Sequence, residues 1–138
     1  MLDLAVHDPE DYIPLEKIAA RQGLSKKYLE SILKLLVRDG LIKGMRGKGG
    51  GYRLLREADA CTVGEILKSA GESLDIVACL EGGALTCERR DVCLTLPMWE
   101  KFNRMTHDFF FGITLADLLK QEKGETRPPE KRKGNDAV

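Results

Sequence analysis

The chain has 138 residues, of which 43% are hydrophobic and 32% are charged, and this size and composition are typical of a single folded domain. No stretch approaches the roughly 18 consecutive apolar residues of a membrane-spanning helix, and the N-terminus has neither the basic nor the apolar part of a signal peptide. We therefore expect a cytoplasmic protein.

The net charge of zero conceals an uneven distribution. Residues 17–56, the basic block, contain eleven Lys and Arg against two acidic residues, whereas residues 57–120 contain six against eleven. Such a block suits a polyanionic partner, because each phosphate that it neutralises releases condensed counterions. A solvated basic surface without a partner is the alternative, and charge alone does not separate the two.

The first elements along the chain are predicted to be helices. Residues 1–7 have the apolar pattern of a helix that ends at a polar break. Pro14 suits the first turn of a second helix, which Gly23 ends. Ser25 is then the N-cap of a third helix, which has apolar side chains at helical spacing and runs to about Asp39.

Two extended segments follow, residues 41–43 and 52–55, and a glycine-rich basic tip joins them into a predicted β-hairpin. The order of helix, tight turn, helix and basic hairpin is that of a winged helix-turn-helix, which we assign to residues 1–58. A phosphate-binding loop is a poor alternative at the tip. Lys48 is followed by glycine rather than by Ser or Thr, and no helix comes next.

The middle of the chain combines a short helix with a cysteine-bearing loop, and we assign both to residues 59–96. Thr62 and Glu65 have the spacing of a capping box, which begins the short helix. At the other end of the chain, residues 121–138 are polar and highly charged, and we predict a disordered tail.

Residues 97–120 are predicted to contain a long helix that begins at Pro97 and a cap helix that begins at Thr114 and ends at Leu119. The long helix has an aromatic-rich stripe, which we interpret as a dimer interface; a core within one chain is the alternative. The stripe consists of Met98, Trp99, Phe102, Met105, Phe109 and Phe110. The predicted fold is thus mainly α with a small β-hairpin: a winged helix-turn-helix followed by a long dimerisation helix.

The start of the third helix and the hairpin tip carry the candidate DNA contacts, because helix-turn-helix proteins place the N-terminal side chains of one helix in the major groove. The candidates are Ser25, Lys26, Lys27, Tyr28, Glu30, Ser31, Arg46 and Lys48. Lys26 and Lys27 suit phosphate or guanine, and Glu30 suits the amino group of cytosine. Alternatively, Glu30 merely pairs with Lys26 or Lys34, one turn away on either side.

Three cysteines, Cys79, Cys87 and Cys93, lie within fifteen residues of one another. In a reducing compartment, clustered cysteines bind metal or sense redox state more often than they form structural disulfides. Their spacing is not that of a zinc finger, but a flexible loop can bring three thiolates to iron or another soft metal. Unrelated free thiols are an equal alternative, and Cys61 is expected to be a buried core residue.

Several motifs in order along residues 1–119 resemble one family of bacterial winged-helix regulators. This family is typified by the iron–sulfur cluster regulator, the nitric-oxide-sensing repressor and the cysteine-metabolism repressor. The motifs are Ala20-Arg21-Gln22-Gly23-Leu24-Ser25, Tyr28-Leu29-Glu30, Arg46-Gly47-Lys48-Gly49-Gly50-Gly51-Tyr52, the cysteine loop ending in Cys93-Leu94-Thr95, Trp99, and Ile113-Thr114-Leu115-Ala116-Asp117-Leu118.

The resemblance implies a homodimer that binds a palindromic operator in double-stranded DNA. Tyr28, Glu30 and Ser31 would then lie in the major groove and Arg46 in the minor groove. It also implies that the three clustered cysteines hold an iron–sulfur cluster, with 2Fe–2S favoured over 4Fe–4S. Where the iron–sulfur regulator has a histidine ligand three residues after its last cysteine, this chain has Leu96, so the remaining ligand is unassigned.

These observations favour a transcriptional regulator whose operator affinity is controlled by the cluster. A DNA-binding regulator controlled by thiol oxidation, zinc or a protein partner without a cluster is the first alternative. A protein-interaction module with incidental thiols is the second. An enzyme is disfavoured, because the two histidines do not adjoin a cysteine and the sequence has no paired-carboxylate or phosphate-loop motif.

Overall fold

The computed structural model describes residues 1–7, 10–83 and 87–122. The helices of these ranges are α1 (Leu2–Ala5), α2 (Leu15–Gln22), α3 (Lys26–Arg38), α4 (Val63–Ser69), α5 (Leu96–Phe111) and α6 (Leu115–Glu122). The strands are β1 (Ile42–Met45) and β2 (Gly51–Leu54), and short 3-10 turns occur at Ala58–Ala60, Ala78–Gly83 and Arg90–Val92. No helix within these ranges is long and apolar enough to cross a membrane.

The predicted mainly α fold with one hairpin is confirmed. The cap helix is longer than predicted, because α6 continues past Leu119 to Glu122. The predicted disorder of the tail lies outside the described residues from residue 123 onward.

The helix α3 begins and ends where the sequence predicts. The Ser25 Oγ accepts a hydrogen bond of 3.2 Å from the backbone N–H of Tyr28, which satisfies one of the free donors at the start of the helix. Leu29, Leu33 and Leu36 are buried along one face. Each such buried leucine stabilises the fold by about 1.5–3 kcal/mol. The buried face of α3 therefore fixes which side chains point to solvent.

The core of the N-terminal half joins α1, α2, α3 and β1, with Leu41 and Ile42 only 2% and 1% exposed. The short α1 is tied to α2 by the guanidinium of Arg21, which donates two hydrogen bonds to the carboxylate of Asp3. These hydrogen bonds hold the pKa of Asp3 below its usual value. Tertiary contacts thus support a helix that is too short to be stable alone.

The predicted hairpin forms, with Ile42 opposite Leu54 and Met45 opposite Gly51 in an antiparallel pair. The outer edge of β2 also pairs with Ile13, a contact that the sequence does not predict. Ile13 and Tyr52 exchange two backbone hydrogen bonds of 2.9 Å. A Cβ atom at Gly51 would lie 2.2 Å from the carbonyl oxygen of Ile13, so glycine is required for this close approach.

The second half of the chain is organised around the adjoining starts of α4 and α6. The capping box of Thr62 and Glu65 is present, and Thr114 caps α6 in the same way with the carboxylate of Asp117. The two starts are hydrogen-bonded to each other, from Val63 N–H to the Ile113 carbonyl and from Leu115 N–H to the Cys61 carbonyl. The C-terminal end of α5 is therefore joined, through α6, to the start of α4.

Candidate nucleic-acid interface and cysteine segment

All of the predicted DNA contacts are exposed on the surface. They are Ser25, Lys26, Lys27, Tyr28, Glu30 and Ser31 at the start of α3, and Arg46 and Lys48 on the hairpin. The two serines also have local roles. The Ser25 oxygen caps α3, and the Ser31 hydroxyl donates to the Tyr28 carbonyl at 2.6 Å. Tyr28 is 54% exposed and is available to a partner.

The charged side chains of α3 do not form the pairs of Glu30 with Lys26 or Lys34 that were the alternative to a DNA contact. The ammonium group of Lys26 lies 2.9 Å from a carboxylate oxygen of Glu16 on α2. Among the residues that the structure describes, neither Glu30 nor Lys27 forms a hydrogen bond or ion pair through its side chain. Pairing of Glu30 with Lys26 or Lys34 is thus not observed, and Glu30 remains open to solvent.

The hairpin tip presents two basic side chains on a glycine-rich turn. The backbone N–H of Gly50 donates to the Gly47 carbonyl at 2.9 Å, and Gly47 and Gly49 both have left-handed backbone conformations that favour glycine. Arg46 and Lys48 are exposed, and no described residue forms an ion pair with either. The glycines of this turn have no side chains, so the backbone at Gly47, Gly49 and Gly50 can approach a partner closely.

The cysteine segment, residues 71–95, contains the three clustered thiols, all half-buried and not joined by disulfides. Cys79 lies in one 3-10 turn, whereas Cys87 and Cys93 flank another, in which Arg90 bonds to both of their backbones. Across the described ranges, no three Cys, His, Asp or Glu side chains are close enough together to hold a metal ion. The structure therefore does not bring the three thiols together.

Two cysteines have thiols whose pKa is shifted from the ordinary value, Cys93 downward and Cys61 upward. The Thr95 hydroxyl, 3.5 Å from the Cys93 sulfur, holds the pKa of the Cys93 thiol below its usual value. Burial raises the pKa of the Cys61 thiol, which is fully buried as the sequence predicts. Because the thiolate is both the nucleophile and the metal ligand, Cys93 is chemically the more available of the two.

The helix α5 has an exposed apolar stripe and contains no buried residue. The exposed side chains recur at intervals of four, three and four residues; they are Met98 (55% exposed), Phe102 (48%), Met105 (57%) and Phe109 (61%). Two members of the predicted stripe, Trp99 and Phe110, are half-buried on its flank, about 100–120° around the helix from Met98, and they contact Phe102 and Phe109 edge to face. The alternative that the stripe fills the core of this chain is not observed, because its four central side chains are exposed.

Sequence reasoning missed a polar cluster between the cysteine segment and α5. The carboxylate of Asp75 lies 2.9 Å from the amide nitrogen of Asn103 and 3.0 Å from Nε2 of His107. Asn103 and His107 are four residues apart, so a shared helical face was visible in the sequence. Their partner is 28 and 32 residues away along the chain, and no local pattern pointed to it.

The arrangement of two helices, a short hairpin and an exposed basic tip is that of a winged-helix DNA-binding protein. A family model described as "Iron-dependent Transcriptional regulator", that of the Rrf2 family, matches residues 1–121. The chain belongs to the Rrf2 family. It is therefore a transcriptional regulator rather than an enzyme, and regulators of this class act by binding DNA.

Named relatives and solved structures agree with this assignment. The chain is 39% identical over 123 residues to the HTH-type transcriptional regulator IscR of Erwinia tasmaniensis, a match that covers 89% of this chain and 73% of that protein. It resembles the structure of T. potens IscR with a TM-score of 0.68 and 35% identity, covering 94% and 84% of the two chains. For CymR, the global cysteine regulator of B. subtilis, the TM-score is 0.72 and the identity 28%, with 87% of each chain covered.

Proposed function

We propose that the chain acts as a homodimer that binds a palindromic operator in double-stranded DNA, with an affinity controlled by an iron–sulfur cluster. The observation that carries the DNA-binding part is the exposure of every candidate contact at the start of α3 and on the hairpin tip. A helix fits the major groove of B-DNA, and an arginine on a narrow glycine-rich turn fits the minor groove.

Individual contacts follow from the environments of the side chains. Glu30 is exposed and has no side-chain partner within the described ranges, so its carboxylate can accept a hydrogen bond from the amino group of cytosine. Ser31 lies between Tyr28 and Glu30 on the exposed side of α3, because successive helical residues are turned by about 100°. Lys26 forms an exposed ion pair with Glu16. Such a pair adds little to the stability of the fold, so Lys26 can leave Glu16 and bind a phosphate instead. Lys27 is free to contact phosphate directly.

The test of this interface is operator binding by two variants and a control. Glu30→Ala is expected to relax the preference for one base by about 1–3 kcal/mol, and Arg46→Ala is expected to weaken binding to the operator. Lys120→Ala, a substitution outside the basic block, is expected to change neither the base preference nor the operator affinity. Operator binding and base preference that match the wild type in both interface variants would contradict the proposal.

The homodimer is supported by the apolar stripe. Met98, Phe102, Met105 and Phe109 expose a continuous apolar surface along one side of α5, at the spacing that packs two helices against each other. A second copy of the chain can cover this surface with the same residues, as twofold symmetry requires. Two winged helices would then meet two halves of a palindrome.

The cluster is supported by the chemistry of its candidate ligands. Cys79, Cys87 and Cys93 are half-buried free thiols on one segment, and the Thr95 hydroxyl favours the thiolate of Cys93. Thiolates are the ligands of iron–sulfur clusters, so the donor set fits in kind, although the segment would have to close to bring the sulfurs together. When bound, a cluster would supply a centre that responds to iron supply or redox state. The 2Fe–2S form is favoured by the family resemblance.

The experiment is an absorption spectrum with iron and sulfide assays on anaerobically purified protein, for the wild type and for Cys87→Ala. Broad absorption near ~400 nm with stoichiometric iron and sulfide, lost in Cys87→Ala, supports the cluster. Cys61→Ala is the matched control, because its thiol is buried away from the segment. Colourless wild-type protein would refute the cluster and favour control by thiol oxidation, zinc or a protein partner.

A further inference from the structure

Three polar side chains join the cysteine segment to α5, and we call Asp75, Asn103 and His107 the latch. The Asp75 carboxylate accepts hydrogen bonds from the Asn103 amide and from His107 Nε2, at 2.9 Å and 3.0 Å. The Asn103 carbonyl accepts a further bond of 3.0 Å from the backbone N–H of Ile76. Because an ionised carboxylate can only accept, Nε2 of His107 carries the hydrogen.

The latch lies between the two candidate functional parts of the second half of the chain. Asp75 lies near the start of the cysteine segment, four residues before Cys79. Because successive helical residues are turned by about 100°, His107 lies opposite Met98, whereas Asn103 lies about 100° from Phe102, on the flank between the two sides. A single helix thus carries the candidate dimer surface on one face and contacts the cysteine segment with its flank and its opposite face.

Among the described residues of the cysteine segment, only Leu80 is a buried apolar side chain. An open pocket of about 630 Å³ lies beside the latch, and its lining includes the three latch residues, Leu80 and Glu100. The hydrogen bonds of Asp75, whose side chain is only 13% exposed, contribute to the attachment of the segment to α5.

We propose that the latch transmits the state of the cysteine segment to α5, with Asn103 and His107 as positioning residues. This inference rests on the proposed function, in which the cysteines respond to a cluster and α5 forms the dimer. Two sites are coupled only if some contact differs between their two states. Among the residues that the structure describes, the latch is a polar contact that connects these two parts, and its loss is expected to uncouple them.

The test compares operator affinity with and without the cluster in matched variants. We expect the wild type to differ by about tenfold or more between the two forms, within the usual range of coupling between sites. Asn103→Ala and His107→Ala are expected to reduce the ratio below about threefold while the cluster absorbance persists. His107→Gln, whose amide N–H replaces that of Nε2, should restore the ratio. Glu100→Gln, on the same cavity wall without a bond to Asp75, should retain it.

Hydrogen exchange of the Ile76 amide in the cluster-free protein tests the latch without reference to the cluster. The exchange is expected to be at least about tenfold faster in Asn103→Ala than in the wild type or Glu100→Gln. Unchanged exchange in Asn103→Ala, or cluster-loaded alanine variants that keep the wild-type ratio, would overturn the inference. A wild type that binds DNA equally with and without the cluster would instead refute cluster control, and the exchange rates would still show whether the latch holds the segment.

Discussion

Gly64 lies against the aromatic ring of Phe111, where α4 packs on the end of α5. A Cβ atom at this position would be 2.5 Å from Cδ2 of that ring, so any side chain must displace it. We expect Gly64→Ala to lower the free energy of unfolding by about 1–3 kcal/mol, as overpacked cores do. Urea denaturation measures the loss. In Gly64→Ala/Phe111→Leu the combined loss should be smaller than the sum of the two single losses, and additive losses would contradict the contact.

The reactivity of Cys93 is a second property that depends on one neighbouring side chain. Because the Thr95 hydroxyl stabilises the thiolate, Thr95→Val is expected to raise the pKa of the Cys93 thiol toward its ordinary value. The rate of alkylation by iodoacetamide should then fall near pH 7, and the midpoint of its pH profile should move upward. At a pH above both pKa values both thiols are fully ionised, so the slower reaction of Thr95→Val should no longer be seen.

The matched control for this measurement is Thr106→Val, because the Thr106 hydroxyl bonds to the Phe102 carbonyl within α5 rather than to a thiol. Its pH profile should superimpose on that of the wild type. Cys61 should not be alkylated in the folded protein, since its side chain is fully buried. An identical profile in Thr95→Val would show that the hydroxyl does not tune the thiol.

At the scale of the elements, the signals that the sequence carries are local. Ser25, Thr62 and Thr114 each lie beside the helix that they cap, so their roles were predictable from a few neighbouring residues. The exposed residues of α3 followed from the phase of its buried leucines. The bridge between Ile13 and Tyr52 was not predictable, because its partners are far apart in sequence and share one pair of hydrogen bonds.

The same distinction applies to the candidate site. Exposure of the basic side chains is a consequence of helix phase and of a glycine-rich turn, which the sequence displays. Whether the cysteine thiols meet, and which groups hold their segment, depends on tertiary packing and on any bound cofactor. Asp75 and His107 illustrate the limit, since only the folded chain brings them to 3.0 Å.

The apolar stripe of α5 leads to a prediction about assembly. Phe102 lies at its centre and is half exposed in a single chain, so a charge there would be buried in the proposed dimer. We expect Phe102→Asp to be monomeric by analytical ultracentrifugation at concentrations at which the wild type is dimeric. Arg104→Ala, on another face of the same helix, should remain dimeric. A dimeric Phe102→Asp would place the interface elsewhere.

For the whole molecule, the separation of charge along the chain determines how DNA binding responds to salt. The basic block has nine more positive than negative charges, although the complete chain is neutral. Operator affinity should therefore fall steeply as salt increases, with a slope that counts the phosphates contacted. Lys27→Ala is expected to reduce that slope by about one per protomer. An unchanged slope, measured by fluorescence anisotropy from low to physiological salt, would remove Lys27 from the interface.

The two ends of α5 are held differently, so the helix can tilt about its fixed end. Its C-terminal end is fixed where Phe111 meets Gly64 and α6 pairs with the start of α4, whereas its N-terminal end continues from Cys93 through a single turn. The 16 residues of α5 span about 24 Å, so a tilt of about 5° about the fixed end displaces the other end by about 2 Å. Met98 would move most and Phe109 least. In the proposed dimer, a disturbance at the cysteines would therefore move two paired copies of α5 apart at one end rather than slide them past each other.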